Sequence, residues 1–192
     1  QKPVMADPQP WFSENMASKT IEDRKRLLET WKDKLPVAED AVKSLTIRRL
    51  ADGDGDGKTE TSTVFPNGFE GLLDPPQGGM LHHDGVLYVA CVPNLMMLRS
   101  AGGDGRAEQR KVIQDGFGVR FSLLGHGLGG LTLGPDGRIY GTMGDRGMDL
   151  APGKGTAYNF PNQGAAFRFE LDGSGFECFH TGLRNPGKIA FD

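Results

Sequence analysis

The sequence predicts an all-β fold preceded by a helical arm, and three observations support this prediction. Glycine accounts for 29 of the 192 residues without a collagen period, which is typical of a protein with many tight turns. Apolar residues make up 37% of the chain and charged residues 24%, a composition that allows a packed core. After residue 45, short apolar runs alternate with Asp-Gly pairs, as in strands joined by turns.

The N-terminal region has the periodicity of a helix. Apolar residues follow a helical stripe between Thr20 and Leu35, and the spacing of Thr20 and Asp23 predicts a capping box. Pro36 ends this helix and can begin a shorter one over residues 37–45. We therefore assign residues 1–45 to a helical arm or insertion and residues 46–192 to the β domain.

Two units repeat within the β domain. Residues 50–69 recur 48 residues later, and residues 78–88 (GGMLHHDGVLY) recur as residues 130–140 (GLTLGPDGRIY). A third copy of the second unit begins at Lys188 and stops with the chain. Periods near 50 residues built from strand pairs indicate the blades of a β-propeller. We expect an incomplete propeller that continues beyond Asp192.

The repeats align three polar residues. Asp74, His126 and Arg184 each precede the first strand of a unit by four residues. Since the innermost strands of a propeller line its channel, these residues are expected to converge at one mouth of the channel. The alternative is that they are ordinary loop residues.

His126 is the residue in this set with catalytic potential. Imidazole is the usual general base near neutral pH, and the glycines of LGHGLGG give a ligand access to it. Asp145 follows the paired strand 19 residues later, so one hairpin brings its carboxylate to the same end, where it can orient the ring. The other histidines are assigned to a surface turn (His82, His83) and an outer strand (His180).

The segment DGDGDGKTE predicts a calcium loop. Its oxygen ligands fall at positions 1, 3, 5, 7 and 9 of the loop, where position 7 contributes a backbone carbonyl: Asp52, Asp54, Asp56, Lys58 and Glu60. Position 12 is Thr63 rather than Glu, and the flanking segments are strands, so we predict a hairpin loop and not an EF-hand. The alternative is a solvated Asp-Gly turn.

Composition excludes several other classes. The net charge of −3 with scattered Lys and Arg shows no basic footprint for nucleic acid. The longest apolar run, Val86 to Val92, is too short to cross a bilayer, so no transmembrane segment is predicted. Cys91 and Cys178 form no disulfide framework and are expected to be buried apolar residues. The chain begins with Gln1, and we expect that either a signal peptide has been removed or the chain is a piece of a longer protein.

Two runs, residues 123–147 (LLGHGLGGLTLGPDGRIYGTMGDRG) and 182–192 (GLRNPGKIAFD), resemble the glucose/sorbosone dehydrogenase family of six-bladed propellers. These are proteins of the soluble quinoprotein glucose dehydrogenase type. The helical arm and DGDGDGK resemble the branch found in Planctomycetes and Verrucomicrobia, whose members are often described as membrane-bound dehydrogenases.

The resemblance implies a dehydrogenase that passes a hydride from a sugar or alcohol hydroxyl to pyrroloquinoline quinone. It implies that His126 is the catalytic base, that Asp145 supports it, and that Arg184 and Asn185 contact the quinone. It also implies a periplasmic or secreted protein and a c-type cytochrome as a possible electron acceptor. The remaining quinone-binding residues of the family come from later blades, so this chain alone is expected to be inactive.

Two other functions stay open at this point. One is a non-catalytic, calcium-stabilised propeller that binds a carbohydrate or a protein partner. The other is a sugar-lactone hydrolase, a chemistry that needs a carboxylate metal cluster in the channel, for which Asp74 is the one candidate in the sequence.

Overall fold

A computed structural model describes residues 10–33, 47–65, 76–100, 102, 107–121, 126–151 and 156–192. Its elements are two helices and twelve strands: α1 (Pro10–Ala17), α2 (Ile21–Trp31), β1 (Arg48–Ala51), β2 (Thr61–Val64), β3 (Pro76–His83), β4 (Val86–Cys91), β5 (Asn94–Arg99), β6 (Gln109–Asp115), β7 (Leu128–Leu133), β8 (Ile139–Met143), β9 (Met148–Leu150), β10 (Tyr158–Phe160), β11 (Gly164–Phe169) and β12 (Glu177–Leu183). The described chain is mostly β-sheet, as predicted.

Helix α2 begins as the sequence predicts. The Thr20 hydroxyl accepts a hydrogen bond from the backbone N–H of Asp23, and the Asp23 carboxylate accepts one from the backbone N–H of Thr20. This reciprocal pair confirms the capping box. The helix ends at Trp31, earlier than Leu35, and the second helix predicted over residues 37–45 lies outside the described residues.

Two four-stranded antiparallel sheets form the body of the protein. The first follows chain order, β3-β4-β5-β6, and the second has the order β7-β8-β11-β12. The strands β9 and β10, which lie between β8 and β11 in the chain, form a separate two-stranded sheet. The repeats in the sequence did not predict this pair. The predicted turn between β3 and β4 is confirmed, because Asp84 and Gly85 both have positive φ, 46° and 72°.

The main core draws on both four-stranded sheets. Every second residue of β4, from Val86 to Ala90, and of β11, from Ala165 to Phe169, belongs to this core cluster. Successive side chains of a strand point to opposite faces of the sheet, so residues two apart share the face that packs on this core. Aromatic rings fill it, with ring centroids of Phe117 and Phe167 5.4 Å apart. The fully buried side chains of the cluster include Tyr88, Phe117, Phe167, Phe169, Leu95, Leu128, Ile139, Met143 and Met148.

The opposite face of the first sheet is covered as well. Val89, Cys91 and Leu98 form a second buried cluster, against which Ile47 and Phe65 pack from the ends of the β1-β2 hairpin. Burial on both faces explains why β4 reads as an uninterrupted apolar run, VLYVAC.

The first strands of the repeated units lie side by side. A Cβ at Gly79 in β3 would lie 3.3 Å from the backbone of Gly129 and Gly130 in β7, and one at Gly130 would lie 2.4 Å from the carbonyl of Gly187. Glycine therefore lets three successive backbones approach closely. The third copy was predicted to begin a strand at Lys188, but residues 184–192 form no strand here. Their backbone packs against β7 without a ladder of hydrogen bonds.

Candidate functional site

His126 and Asp145 form a hydrogen-bonded pair at one end of the β7-β8 hairpin. The distance between His126 Nδ1 and Asp145 Oδ1 is 2.8 Å. His126 precedes β7 by two residues, and Asp145 follows β8 by two, so the hairpin returns the carboxylate to the imidazole. The side chains are 16% and 27% exposed, which leaves the pair open to a ligand while much of its surface is out of water.

The backbone of His126 adopts an unusual conformation. Its φ is +64°, in the left-handed region that non-glycine residues visit rarely. The N–H of His126 donates to Asn185 Oδ1 at 3.1 Å, and its carbonyl accepts from the N–H of Arg146 at 3.4 Å. These bonds come from two other segments of the chain and fix the imidazole toward Asp145.

Gly144 makes this arrangement possible. A Cβ at Gly144 would lie 2.3 Å from the carbonyl oxygen of His126, a distance that forbids any side chain. The N–H of Gly144 donates to the carbonyl of Gly127 at 3.0 Å, so the two segments are paired at this point. The glycine just before Asp145 is therefore a steric requirement of the pair.

Arg184 and Asn185 adjoin the pair, a position that the repeats predicted for Arg184 and the family resemblance implied for Asn185. The backbone N–H of Asp145 donates to the carbonyl of Arg184 at 2.7 Å, and Arg184 Nε lies 4.0 Å from Asp145 Oδ2. The Arg184 side chain is 85% exposed, so it extends into solvent beside Asp145. The structure thus brings together His126, Asp145, Arg184 and Asn185, whereas Asp74 lies outside the described residues.

Two arginines near Asp145 were not predicted. Arg146 Nε lies 3.9 Å from Asp145 Oδ1, and the backbone N–H of Arg120 donates to the carbonyl of Arg146 at 2.9 Å. Arg146 directly follows Asp145 in the chain, so the sequence could have predicted that it lies near the site. Nothing in the sequence pattern indicated Arg120, because its neighbour in space is 26 residues away along the chain.

The predicted calcium loop joins β1 to β2. One ligand atom from each of Asp52, Asp54, Asp56 and Glu60 can be chosen so that all four lie within 4.8 Å of one another, and all four residues are exposed. The flanking strands are antiparallel, which confirms the hairpin. Lys58 was predicted to contribute its carbonyl; its Nζ lies 3.3 Å from Asp56 Oδ2.

Backbone amides shape the acidic loop. Asp52 accepts hydrogen bonds from the N–H groups of Gly57 and Gly55, and these bonds lower the pKa of its carboxyl group. The N–H of Gly53 donates to Glu60 Oε2 at 2.6 Å, which ties the two ends of the loop together. The loop is therefore preorganised by contacts among residues fewer than ten positions apart.

The other histidines and the two cysteines are not part of the His126 pair. His83 ends β3 next to the turn, and His180 is exposed on the edge strand β12. Cys91 is buried, and burial raises the pKa of the partly buried Cys178 thiol to about 12.

Comparison with known proteins places the chain in a family. A family model described as "Domain of unknown function (DUF7133)" matches residues 29–190. The chain belongs to this family. No curated protein and no solved structure matches the chain. Membership of DUF7133 assigns no activity, so the function must be argued from the site itself.

No helix in the described part of this DUF7133 chain is long and apolar enough to span a membrane.

Proposed function

We propose that this DUF7133 chain is part of a six-bladed β-propeller in which the two four-stranded sheets are successive blades. Three features support the proposal: the antiparallel four-stranded architecture, the adjacency of β3 and β7, and the position of the next repeat against Gly130. In a propeller each blade is a four-stranded antiparallel sheet whose first strand lines the channel. His126, Arg184 and Asn185 would then lie at one mouth of that channel.

We propose further that the protein is a quinoprotein dehydrogenase for a sugar or alcohol. The observation that carries this proposal is the 2.8 Å contact between His126 Nδ1 and Asp145 Oδ1. A carboxylate on Nδ1 holds the imidazole with its proton on that nitrogen, which leaves Nε2 as the base. Such a base can accept the proton of a hydroxyl group as the adjacent carbon is oxidised.

Each residue of the site has a defined role in this proposal. His126 Nε2 takes the hydroxyl proton, Asp145 stabilises the imidazolium that results, and Asn185 holds the His126 backbone through its amide oxygen. When bound, pyrroloquinoline quinone supplies the two-electron acceptor for the hydride. The hydroxyl group loses its proton to His126, and the adjacent carbon loses a hydride to that acceptor. Together these two transfers oxidise the alcohol to a carbonyl.

The residues present fit part of a quinone site. The guanidinium of Arg184 is exposed, and Asn185 uses its amide oxygen on His126, so its amide nitrogen remains as a donor. These are donor groups of the kind that quinone and carboxylate oxygens require. The described residues supply two such contacts, in keeping with a site completed by other parts of the propeller.

Activity of the native protein that contains this chain tests the proposal. We expect dye reduction with at least one member of a sugar and alcohol panel after reconstitution with pyrroloquinoline quinone and calcium. His126→Ala is expected to lower the rate by roughly a hundredfold or more, the usual contribution of a general base. No activity in the wild type, or full activity in His126→Ala, would refute the dehydrogenase.

We also propose that the acidic loop binds calcium. Carboxylates gathered within 4.8 Å repel one another, and a divalent cation with oxygen ligands relieves that repulsion. Asp54→Ala is expected to weaken calcium binding about tenfold or more in calorimetry, since one charged ligand is lost. The matched control is Asp33→Ala, an exposed aspartate outside the cluster, which is expected to leave the affinity unchanged. Unchanged affinity in Asp54→Ala would remove the site.

The second candidate function is a non-catalytic propeller stabilised by calcium, which binds a carbohydrate or a protein partner. The exposure of the acidic loop on its hairpin favours it, because a stabilising ion there needs no redox chemistry. Quinone binding separates the two functions. A dehydrogenase is expected to bind the quinone saturably, whereas a non-catalytic propeller is expected not to bind it.

The wider setting is proposed on the resemblance alone. We propose that the protein is exported to the periplasm or secreted. Its electron acceptor would then be a c-type cytochrome. Reduction of such a cytochrome in the presence of substrate is the corresponding measurement.

A further inference from the structure

Two arginines, Arg120 and Arg146, lie on paired segments next to Asp145 of the His126 pair. Arg120 lies on the segment after β6, and Arg146 lies in the turn after β8. The two segments are paired, because the Arg120 N–H donates to the Arg146 carbonyl and Phe117 forms a bridge with Met148. This pairing sets two positive side chains on neighbouring strands of backbone, where like charges repel.

Electrostatic effects on Arg120 agree with this backbone pairing. Burial is the largest cause that lowers the pKa of the Arg120 guanidinium, and the nearby positive charge of Arg146 lowers it further. Asp145 acts in the opposite direction. Asp145 therefore offsets only part of the charge of Arg120, Arg146 and Arg184. Its Oδ1 already accepts a hydrogen bond from His126.

The donors of both arginines are incompletely used. The Nε atoms of Arg120 and Arg146 are buried, and neither has a hydrogen-bond partner in the part of the chain that the structure describes. The 3.9 Å between Arg146 Nε and Asp145 Oδ1 is too long for a hydrogen bond. A buried charged donor without an acceptor is costly, and an anion bound between Arg120 and Arg146 would supply acceptors to both.

We propose that Arg120 and Arg146 form an oxyanion-binding site next to His126 and Asp145, which takes the carboxylate or phosphate group of a small ligand. The guanidinium is a planar fork whose N–H groups match the oxygens of these two anions. The Arg146 side chain is 23% exposed, so a small ligand can reach the site from solvent. The proposal goes beyond the dehydrogenase, because oxyanion binding needs no redox cofactor.

The helical arm holds one wall of this site. Arg24 of α2 donates from Nη1 to the carbonyl of Gly118 at 2.8 Å, and Asn15 of α1 accepts at Oδ1 from the N–H of Phe121 at 2.7 Å. Both contacts fix residues that flank Arg120 in the chain. The arm therefore positions the segment that carries Arg120, which gives these helices a role in the site.

The test is a titration of the 192-residue protein followed by NMR of the arginine Nε–H signals. Oxalate and inorganic phosphate are titrated separately, so that the two arms distinguish a carboxylate from a phosphate ligand. Arg120→Lys and Arg146→Lys assign the two signals and keep the charge while removing the fork. Arg26→Lys is the matched control, because Arg26 is 74% exposed on α2 and pairs with Asp23.

We expect saturable shifts of the Arg120 and Arg146 signals with at least one anion. Each Lys variant is expected to bind roughly tenfold more weakly, the effect of losing one charge-assisted hydrogen bond, whereas Arg26→Lys binds as the wild type does. If a variant does not fold, the wild-type Nε–H signals are assigned through their bonds to the backbone, and the wild-type titration alone then decides the matter. No saturable shift with either anion, or unchanged affinity in both Lys variants, would overturn the proposal.

Discussion

The acidic loop and the His126 site are built in opposite ways. The loop is exposed, and its hydrogen bonds between Asp52 and Lys58 join residues two to five positions apart, while the bond from Gly53 to Glu60 spans seven. The His126 site is partly buried, and its bonds join residues 19 and 59 positions apart. One is encoded by a single short segment, and the other by the packing of three.

This difference predicts how each region responds to change. A local loop tolerates substitutions elsewhere in the fold, because its contacts close within the hairpin. A site assembled from distant segments depends on the positions of those segments, so a steric change that touches no catalytic atom can still displace it.

The largest expected effect is that of Gly144→Ala. The new Cβ would lie 2.3 Å from the His126 carbonyl, so β8 and the His126 segment must separate. We expect the free energy of unfolding to fall by roughly 1 to 3 kcal/mol, the cost of overpacking. Urea denaturation measures it.

The control for this prediction is Gly187→Ala. A Cβ at Gly187 would meet nothing within 4 Å, and we expect stability close to that of the wild type. Equal stability of the two variants would show that Gly144 is not a steric requirement.

A smaller effect is expected for Asn185→Ala. This change removes the acceptor for the His126 N–H and costs about 1 kcal/mol, the net value of one hydrogen bond. The His126 amide signal should move in NMR spectra, while the amide signals of Gly55 and Gly57 stay in place. Movement of the loop signals as well would contradict the separation of the two regions.

The pH dependence of the loop gives a third prediction. The N–H groups of Gly57 and Gly55 lower the pKa of Asp52, so the hydrogen bonds are fully formed above the usual aspartate pKa. They are lost as the pH falls through the lowered value. A carboxyl NMR titration without calcium should give a midpoint for Asp52 below that of an aspartate in a peptide. A midpoint at or above the peptide value would show that the loop is not preorganised.

The smallest expected effect concerns Cys178, which packs its sulfur 3.8 Å from that of Met148. Burial raises its pKa to about 12, so the thiol is neutral in the folded protein at ordinary pH. Its contribution to stability is present below the usual thiol pKa and is lost as the pH rises toward 12. We expect slow labelling by a thiol reagent at pH 8 in the native protein and fast labelling in urea. Equal rates would contradict the burial.

The sequence predicted most readily what is encoded locally. The capping box at Thr20, the turn at Asp84 and the hairpin around Asp52 depend on residues within one short segment, and all three are present. The register of the repeats placed Arg184 near His126, whereas Asn185 was implied only by the family resemblance, since 59 residues separate it from His126.

Other features could not be predicted because packing alone decides them. Arg24 lies on the face of α2 that packs inward and is 2% exposed, although a charged residue ordinarily marks the solvent side. Arg120 is brought next to Arg146 by the pairing of two segments whose sequences share no pattern. The β9-β10 insertion lengthens the second unit, so the period of the repeats does not extend to β11.

The most direct test of the central claim is a double-mutant cycle on the turnover number of the native protein loaded with pyrroloquinoline quinone. If His126 and Asp145 act as one unit, the double variant His126→Ala, Asp145→Ala should be no slower than His126→Ala alone, because removing the base also removes the role of the carboxylate. Additive losses from the two substitutions, or wild-type turnover in either single variant, would contradict the claim.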